Sequence, residues 1–200
     1  MGVKLSKIKR VCTREQQVRL YTVRDNQNMI WQWLGVNDAL YPVEGVSLTL
    51  NMLCVIWELG DSARKTWDMV EMDLEDAVQS GLVDPEDAEN LRHTPAMVDK
   101  ATIPNIRMAR VFDAQAIRLE SGRMTLLPDS RCAPCWYGPV EYMLIREDRL
   151  TVAAYTDGVL SGIIRPVGSK VAAVANATLK ALAACECVGG WDDNNDNKGG

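Results

Sequence analysis

The chain of 200 residues contains one histidine, His93. Multi-histidine metal sites are therefore excluded, and any Ser-His or Cys-His nucleophile would hang on that residue alone. His93 is expected near a helix C-terminus, where the dipole favours a cation, and a capping or surface role suits it. Glycine-rich phosphate motifs are missing as well. There is no Gly-x-Gly-x-x-Gly, no P-loop and no Gly-x-Ser-x-Gly nucleophile elbow. No apolar run approaches the ~18–20 residues that span a bilayer, so no membrane partner is expected. The basic start has no apolar core of a secretory signal. Met1-Gly2-Val3-Lys4-Leu5-Ser6 fits the short myristoylation pattern but is read as an ordinary start. These absences predict an intracellular protein that is not an enzyme.

Charge is what the chain has, and it is unevenly placed. Residues 1–24 hold seven bases against one acid, Glu15. Residues 61–90 hold ten acids against two bases, Arg64 and Lys65. Such polarity suits docking on charged macromolecules. The formal net charge of −5 disfavours bulk nucleic-acid binding, while leaving the N-terminal cluster free to bind locally.

The patterning predicts an α+β protein made of two antiparallel β-meander-plus-helix halves with an acidic helical insert between them. Residues 1–93 form the first half. Its strands are expected at Ile8–Thr13, Gln17–Val23, Met29–Val36 and Ala39–Val43, with Asn37-Asp38 as a turn. A buried helix over 48–59, apolar nearly all round and capped by Ser47, follows. Acidic helices fill 62–91. The first runs to residue 80, with Ala63, Trp67, Val70, Leu74, Ala77 and Val78 as its buried stripe. The second opens on Asp84-Pro85-Glu86-Asp87. Residues 94–113 read as a linker. Residues 114–188 form the second half, with a hairpin over 114–127, a Pro-rich loop over 128–139, strands at 141–146, 150–155 and 159–167, and an Ala-rich helix over 169–185. Residues 189–200 read as a disordered acidic tail. Ala39-Leu40-Tyr41-Pro42-Val43 and Ile163-Ile164-Arg165-Pro166-Val167 rhyme, as the halves of a diverged duplication would.

Three sets of residues are candidates for function. On the expected helix 62–80, Asp68, Glu71 and Glu75 lie along one flank, and Asp73 and Asp76 extend the charge round the outer face. With Glu86 and Asp87 they form an acidic face for a protein partner. Carboxylates one helical turn apart, ~5.4 Å, approach the close charge spacing of a nucleic-acid backbone, so such a face suits the basic groove of a nucleic-acid enzyme. The second set is the bases Lys7, Lys9, Arg10, Arg14 and Arg19, with Trp31 and Trp33 on one side of a strand as a stacking platform for nucleic acid. The third is cysteine. Cys132-Ala133-Pro134-Cys135, with Cys185 and Cys187, has the ligands for a closed structural zinc site, but the spacing is only half-right. The preferred reading is partly buried thiols in a Pro-rich loop, with no cofactor.

The segments Lys7-Ile8-Lys9-Arg10-Val11-Cys12, Val18-Arg19-Leu20-Tyr21-Thr22-Val23, Ala39-Leu40-Tyr41-Pro42-Val43-Glu44-Gly45 and Asp157-Gly158-Val159-Leu160, running into Ile164-Arg165-Pro166-Val167, carry a resemblance. The chain is similar to small accessory proteins of phages and prophages from anaerobic gut bacteria. Some accessory proteins of that setting are anti-CRISPR inhibitors of an RNA-guided nuclease. The class shares no active site, so no residue role is carried over. The resemblance implies a non-enzymatic phage or mobile-element protein, cytoplasmic in a bacterial host cell, that binds a host or phage macromolecule. Taken with the acidic face, the leading expectation is an inhibitor of a nucleic-acid-processing host defence nuclease such as a CRISPR nuclease. The alternative is a nucleic-acid-binding replication or structural protein using the basic N-terminus and the aromatic strand. Self-association into a homo-oligomer is left open.

Overall fold

The computed structural model describes residues 5–24, 29–43, 45, 47–92, 107–111, 114–118, 124–146 and 150–166. Helix 169–185, the tail, Cys185, Cys187 and His93 lie outside the described residues. The chain is α+β, built on a mixed seven-stranded sheet.

The first element is a helix, α1 (Leu5–Glu15), where a strand was expected. Ile8, Val11 and Cys12 recur at helical spacing and are its buried residues. Gln16, with a positive φ of 50°, ends α1 and turns the chain into β1 (Gln17–Arg24). β2 (Ile30–Val36) and β3 (Ala39–Val43) follow as an antiparallel meander joined by the two-residue turn Asn37-Asp38. Gly35 permits that turn. A Cβ there would sit 2.0 Å from the Ala39 carbonyl oxygen.

α2 (Leu50–Ile56) is shorter than expected and is capped by Thr49, whose hydroxyl accepts from Met52 N at 3.2 Å. Only one side of it is buried. Leu53, Cys54 and the following Trp57 face the core, while Met52, Val55 and Ile56 are exposed.

The single acidic helix expected over 62–80 is three elements. These are α3 (Asp61–Thr66), β4 (Asp68–Asp73) and α4 (Leu74–Gln79). β4 pairs in parallel with β1 along its length, from Gln17↔Asp68 to Thr22↔Asp73. The apolar stripe still faces inward, with Val70, Leu74, Ala77 and Val78 in one cluster. A tertiary pairing has overridden a helical period that the same residues also satisfy. α5 (Pro85–Arg92) starts as its sequence demands, with Asp84 Oδ1 accepting from Glu86 N at 3.0 Å.

Arg107–Val111, within the segment read as linker, is β5. It forms a separate three-stranded antiparallel sheet with β6 (Ala114–Arg118) and β7 (Met124–Pro128). The Pro-rich loop is helical instead: α6 (Asp129–Cys132) runs into a 3₁₀ turn at Ala133–Cys135. β8 (Val140–Arg146), β9 (Thr151–Thr156) and β10 (Val159–Ile164) complete the large sheet. Asp157 and Gly158, both at positive φ, make the β9–β10 turn.

The strand order is β4-β1-β2-β3-β10-β9-β8. Apart from β4 it reads as a palindrome, with one meander running outward from β3 and the other from β10. The joint is Leu40↔Ile163 and Ala39↔Ile164. That is the register a local two-fold axis between the two rhyming segments requires. Alternation separates the sheet's faces. α1, α2 and α6 cover Val18, Leu20, Leu34 and Val36 on one. α4 and α5 cover Tyr21, Val23, Trp31 and Trp33 on the other.

Gly35→Ala should destabilise the chain by about 1–3 kcal/mol, since the clash is with backbone and only a hairpin shift relieves it. Urea unfolding checks this, and an unchanged midpoint contradicts it.

Candidate interaction surfaces

The two helical layers carry opposite charge. α1 holds Lys7, Lys9, Arg10 and Arg14 against Glu15. α4 and α5, across the sheet, hold Glu75, Asp76, Glu86, Asp87 and Glu89 against Arg92. The polarity in the linear sequence has become polarity between two faces.

The acidic residues are not one helical row. Asp68 and Glu71 lie on β4, three positions apart, and so point to opposite faces. Asp68 is held by the Arg19 guanidinium and by Gln17 Nε2 at 3.2 Å. The bond from Arg19 keeps its carboxyl below the ordinary carboxylate range. Glu71 accepts from Leu50 N at 2.8 Å. Asp73 lies 3.9 Å from Arg24, with both side chains exposed. Glu75 takes two bonds from Arg92, at 3.0 and 3.1 Å, which lower its pKa. Asp76 is exposed on the outer side of α4.

Asp87 belongs to the interior rather than the face. It is buried between two guanidiniums, those of Arg165 and Arg146, the latter at 3.2 Å. Arg146 also reaches Asp84 at 2.9 Å and Glu86 at 2.8 Å. This clasp ties the start of α5 to the second meander. Breaking one side of such a buried group leaves an uncompensated charge, so its role is structural.

The expected nucleic-acid set divides in the same way. Arg19 is buried, bonded to Asn37 Oδ1 at 2.7 Å and to Asp68, and presents no charge to a ligand. Trp31 and Trp33 do share one side of β2, but that side faces α5. Both indole N–H groups donate to Leu91 O, at 3.2 and 2.9 Å. Trp33 is wholly buried and Trp31 nearly so, which leaves no ring face on which a base could stack. The bases of α1 remain at the surface. Lys7, Arg10 and Arg14 fall on one side of the helix. Lys7 Nζ donates to Trp136 O at 2.7 Å, Arg14 donates to Ser130 Oγ at 3.1 Å, and Arg10 is exposed.

Cys132 and Cys135 are fully buried, and desolvation pushes both thiols up to about 12. Cys135 Sγ donates to Ser161 O at 3.4 Å. Thiols this protonated are poor nucleophiles at neutral pH. Among the described residues no group of three or more cysteine, histidine or carboxylate side chains is placed to hold a metal. A small pocket of ≈ 30 Å³ between α5 and the sheet has room for about a water or two.

Sequence reasoning missed two features. The arginines that organise the charge, Arg131, Arg146 and Arg165, sit far in sequence from their carboxylates and leave no local signal. The exposed apolar side of α2 was readable only as a run without charge, and that run suggested burial. No protein-family model, curated protein or solved structure matches the chain. Among the described residues, no helix is long and apolar enough to cross a membrane.

Alkylation of the native protein near pH 8, mapped by mass spectrometry, should leave Cys132 and Cys135 unlabelled, with or without a chelator. Labelling that appears only with the chelator would assign them to a metal.

The pKa of Asp68 gives a second expectation. Its folded-state value lies below the unfolded value of about 3.9. Its contribution is therefore present above pH ~4 and is lost as pH falls through the folded pKa. Asp68→Asn should be less stable than wild type at neutral pH, and the gap should close in acid. A gap independent of pH contradicts the assignment.

Proposed function

We propose that the protein is a non-catalytic binding protein of a phage or mobile element. It docks its acidic face on the basic surface of a nucleic-acid-processing defence nuclease and inhibits it, as anti-CRISPR proteins do. The observation that carries this reading is the segregation of charge. Glu75, Asp76, Glu86 and Glu89 stand together on the α4–α5 layer, away from the bases of α1. Complementary potential of this kind steers association and selects partners more than it adds raw affinity. Asp87 has an internal role and supports the face from beneath, while Asp68 holds the buried Arg19 from the sheet's edge.

A second reading has its own observation. The surface stripe Lys7, Arg10 and Arg14, with Lys9, is a ready contact for phosphates, and binding through it would fall steeply with salt.

The test is capture from host lysate by the tagged full chain, with and without nuclease, eluted on a salt gradient. A nuclease-resistant protein partner released at moderate salt is expected. Asp76→Lys with Glu89→Lys should weaken that capture about tenfold or more, as reversed charges do at a steered interface. Capture that is unchanged in this variant contradicts the docking face. Recovery of nucleic acid alone, lost on Arg10→Glu, establishes the second reading instead.

A further inference from the structure

Three parts of the fold meet at the small pocket beside the β3–β10 joint. Leu40 and Ile163, which pair across that joint, line it from the sheet, and Leu91 lines it from α5. Polar groups reach it from all three parts. Tyr21, Asn37 and Asp38 come from the first meander, Thr151 and Arg165 from the side of the second, and Asp87 from α5.

Thr151 opens β9 and is 1% exposed. Its Oγ1 has no hydrogen-bond partner among the described residues. Other buried hydroxyls of the same meander are satisfied. Thr156 Oγ1 donates to Cys135 O at 2.8 Å, and Ser161 Oγ donates to Ala154 O at 3.0 Å. A buried hydroxyl without a partner costs the folded state its lost hydration, so such groups bond to protein or to ordered water.

The pocket's size and charge select the partner. About 30 Å³ holds around two waters, since each takes roughly 10–15 Å³ of such space. The carboxylates of Asp38 and Asp87 disfavour an anion there, and the Arg165 guanidinium disfavours a metal cation. A neutral molecule that both donates and accepts suits the whole lining.

We infer that this pocket is an internal hydration site, in which one or two waters bond Thr151 Oγ1 and carry its bonding on to the polar groups across the pocket. The water ties β9 to the first meander and to α5 at the place where the two meanders join. It works beside the ion pair of Arg165 with Asp87, two residues of the same lining. The site stands without the function proposed for the acidic face.

The test has two readouts on the full chain. A crystal structure at a resolution that orders solvent should show water within hydrogen-bond distance of Thr151 Oγ1 and of a polar group of another element in the lining. Thr151→Val nearly keeps the side chain's shape and removes the hydroxyl. It should lower the melting temperature by about 2–4 °C, because the water loses a partner. Thr151→Ser keeps the hydroxyl and should retain the water. A melting temperature unchanged or raised by Thr151→Val means that the hydroxyl is dry, and overturns the inference. So does a crystal structure with no solvent at Thr151 Oγ1, or with an ion there in place of water.

Discussion

The pairing of β3 with β10 is the interaction on which the rest of the structure depends. Two residue pairs, Leu40↔Ile163 and Ala39↔Ile164, join the two meanders through residues more than half the chain apart. Arg165 N donating to Asp38 O at 2.8 Å extends the joint by one step. Without it each meander would end on an open edge, a ready template for pairing with other chains. With it the two meanders share a sheet and a main core, in which Tyr41 of the first packs with Val152 and Ile164 of the second. Close approach at the joint is helped by Gly162, where a Cβ would lie 2.8 Å from Cys135 Sγ and 3.0 Å from the Tyr41 ring.

A single sheet has two faces, and that geometry turns a gradient along the chain into a difference across it. α1 arrives before the first strand and lies on one face. α4 and α5 arrive after β4 and lie on the other. The arginines of the second meander then trim the acidic layer. Arg146 and Arg165 engage Asp84, Glu86 and Asp87, while Glu75, Asp76 and Glu89 keep outward positions. β4, at the sheet's edge, is short and places Asp68, Glu71 and Asp73 along its length, which protects that edge from pairing.

Much of this was legible where the determinants are local. The turns at Asn37-Asp38 and Asp157-Gly158 announced their hairpins, and Asp84-Pro85 announced α5. Legibility failed where a long-range partner decides. Ile8 to Cys12, with apolar residues at 8, 11 and 12, is a short segment read as a strand, and packing on β1 and β2 selects the helix. Trp67, Val70 and Leu74 satisfy a helical stripe, yet parallel pairing with β1 makes Asp68–Asp73 a strand. Among the candidate sites, Arg19 and Asp68 are 49 residues apart, and Arg165 and Asp87 are 78 apart. No spacing rule reveals that such charges neutralise each other. The tryptophans were placed on one side of their strand correctly, but which side α5 would cover was not in the pattern.

The most direct test of the account is a hydrogen-exchange footprint of the full chain, free and in its captured complex. The account predicts new protection over residues 74–92, with the amides of 5–15 unchanged. Protection confined to 5–15, in a complex that contains nucleic acid, would contradict it and make the basic helix the working surface.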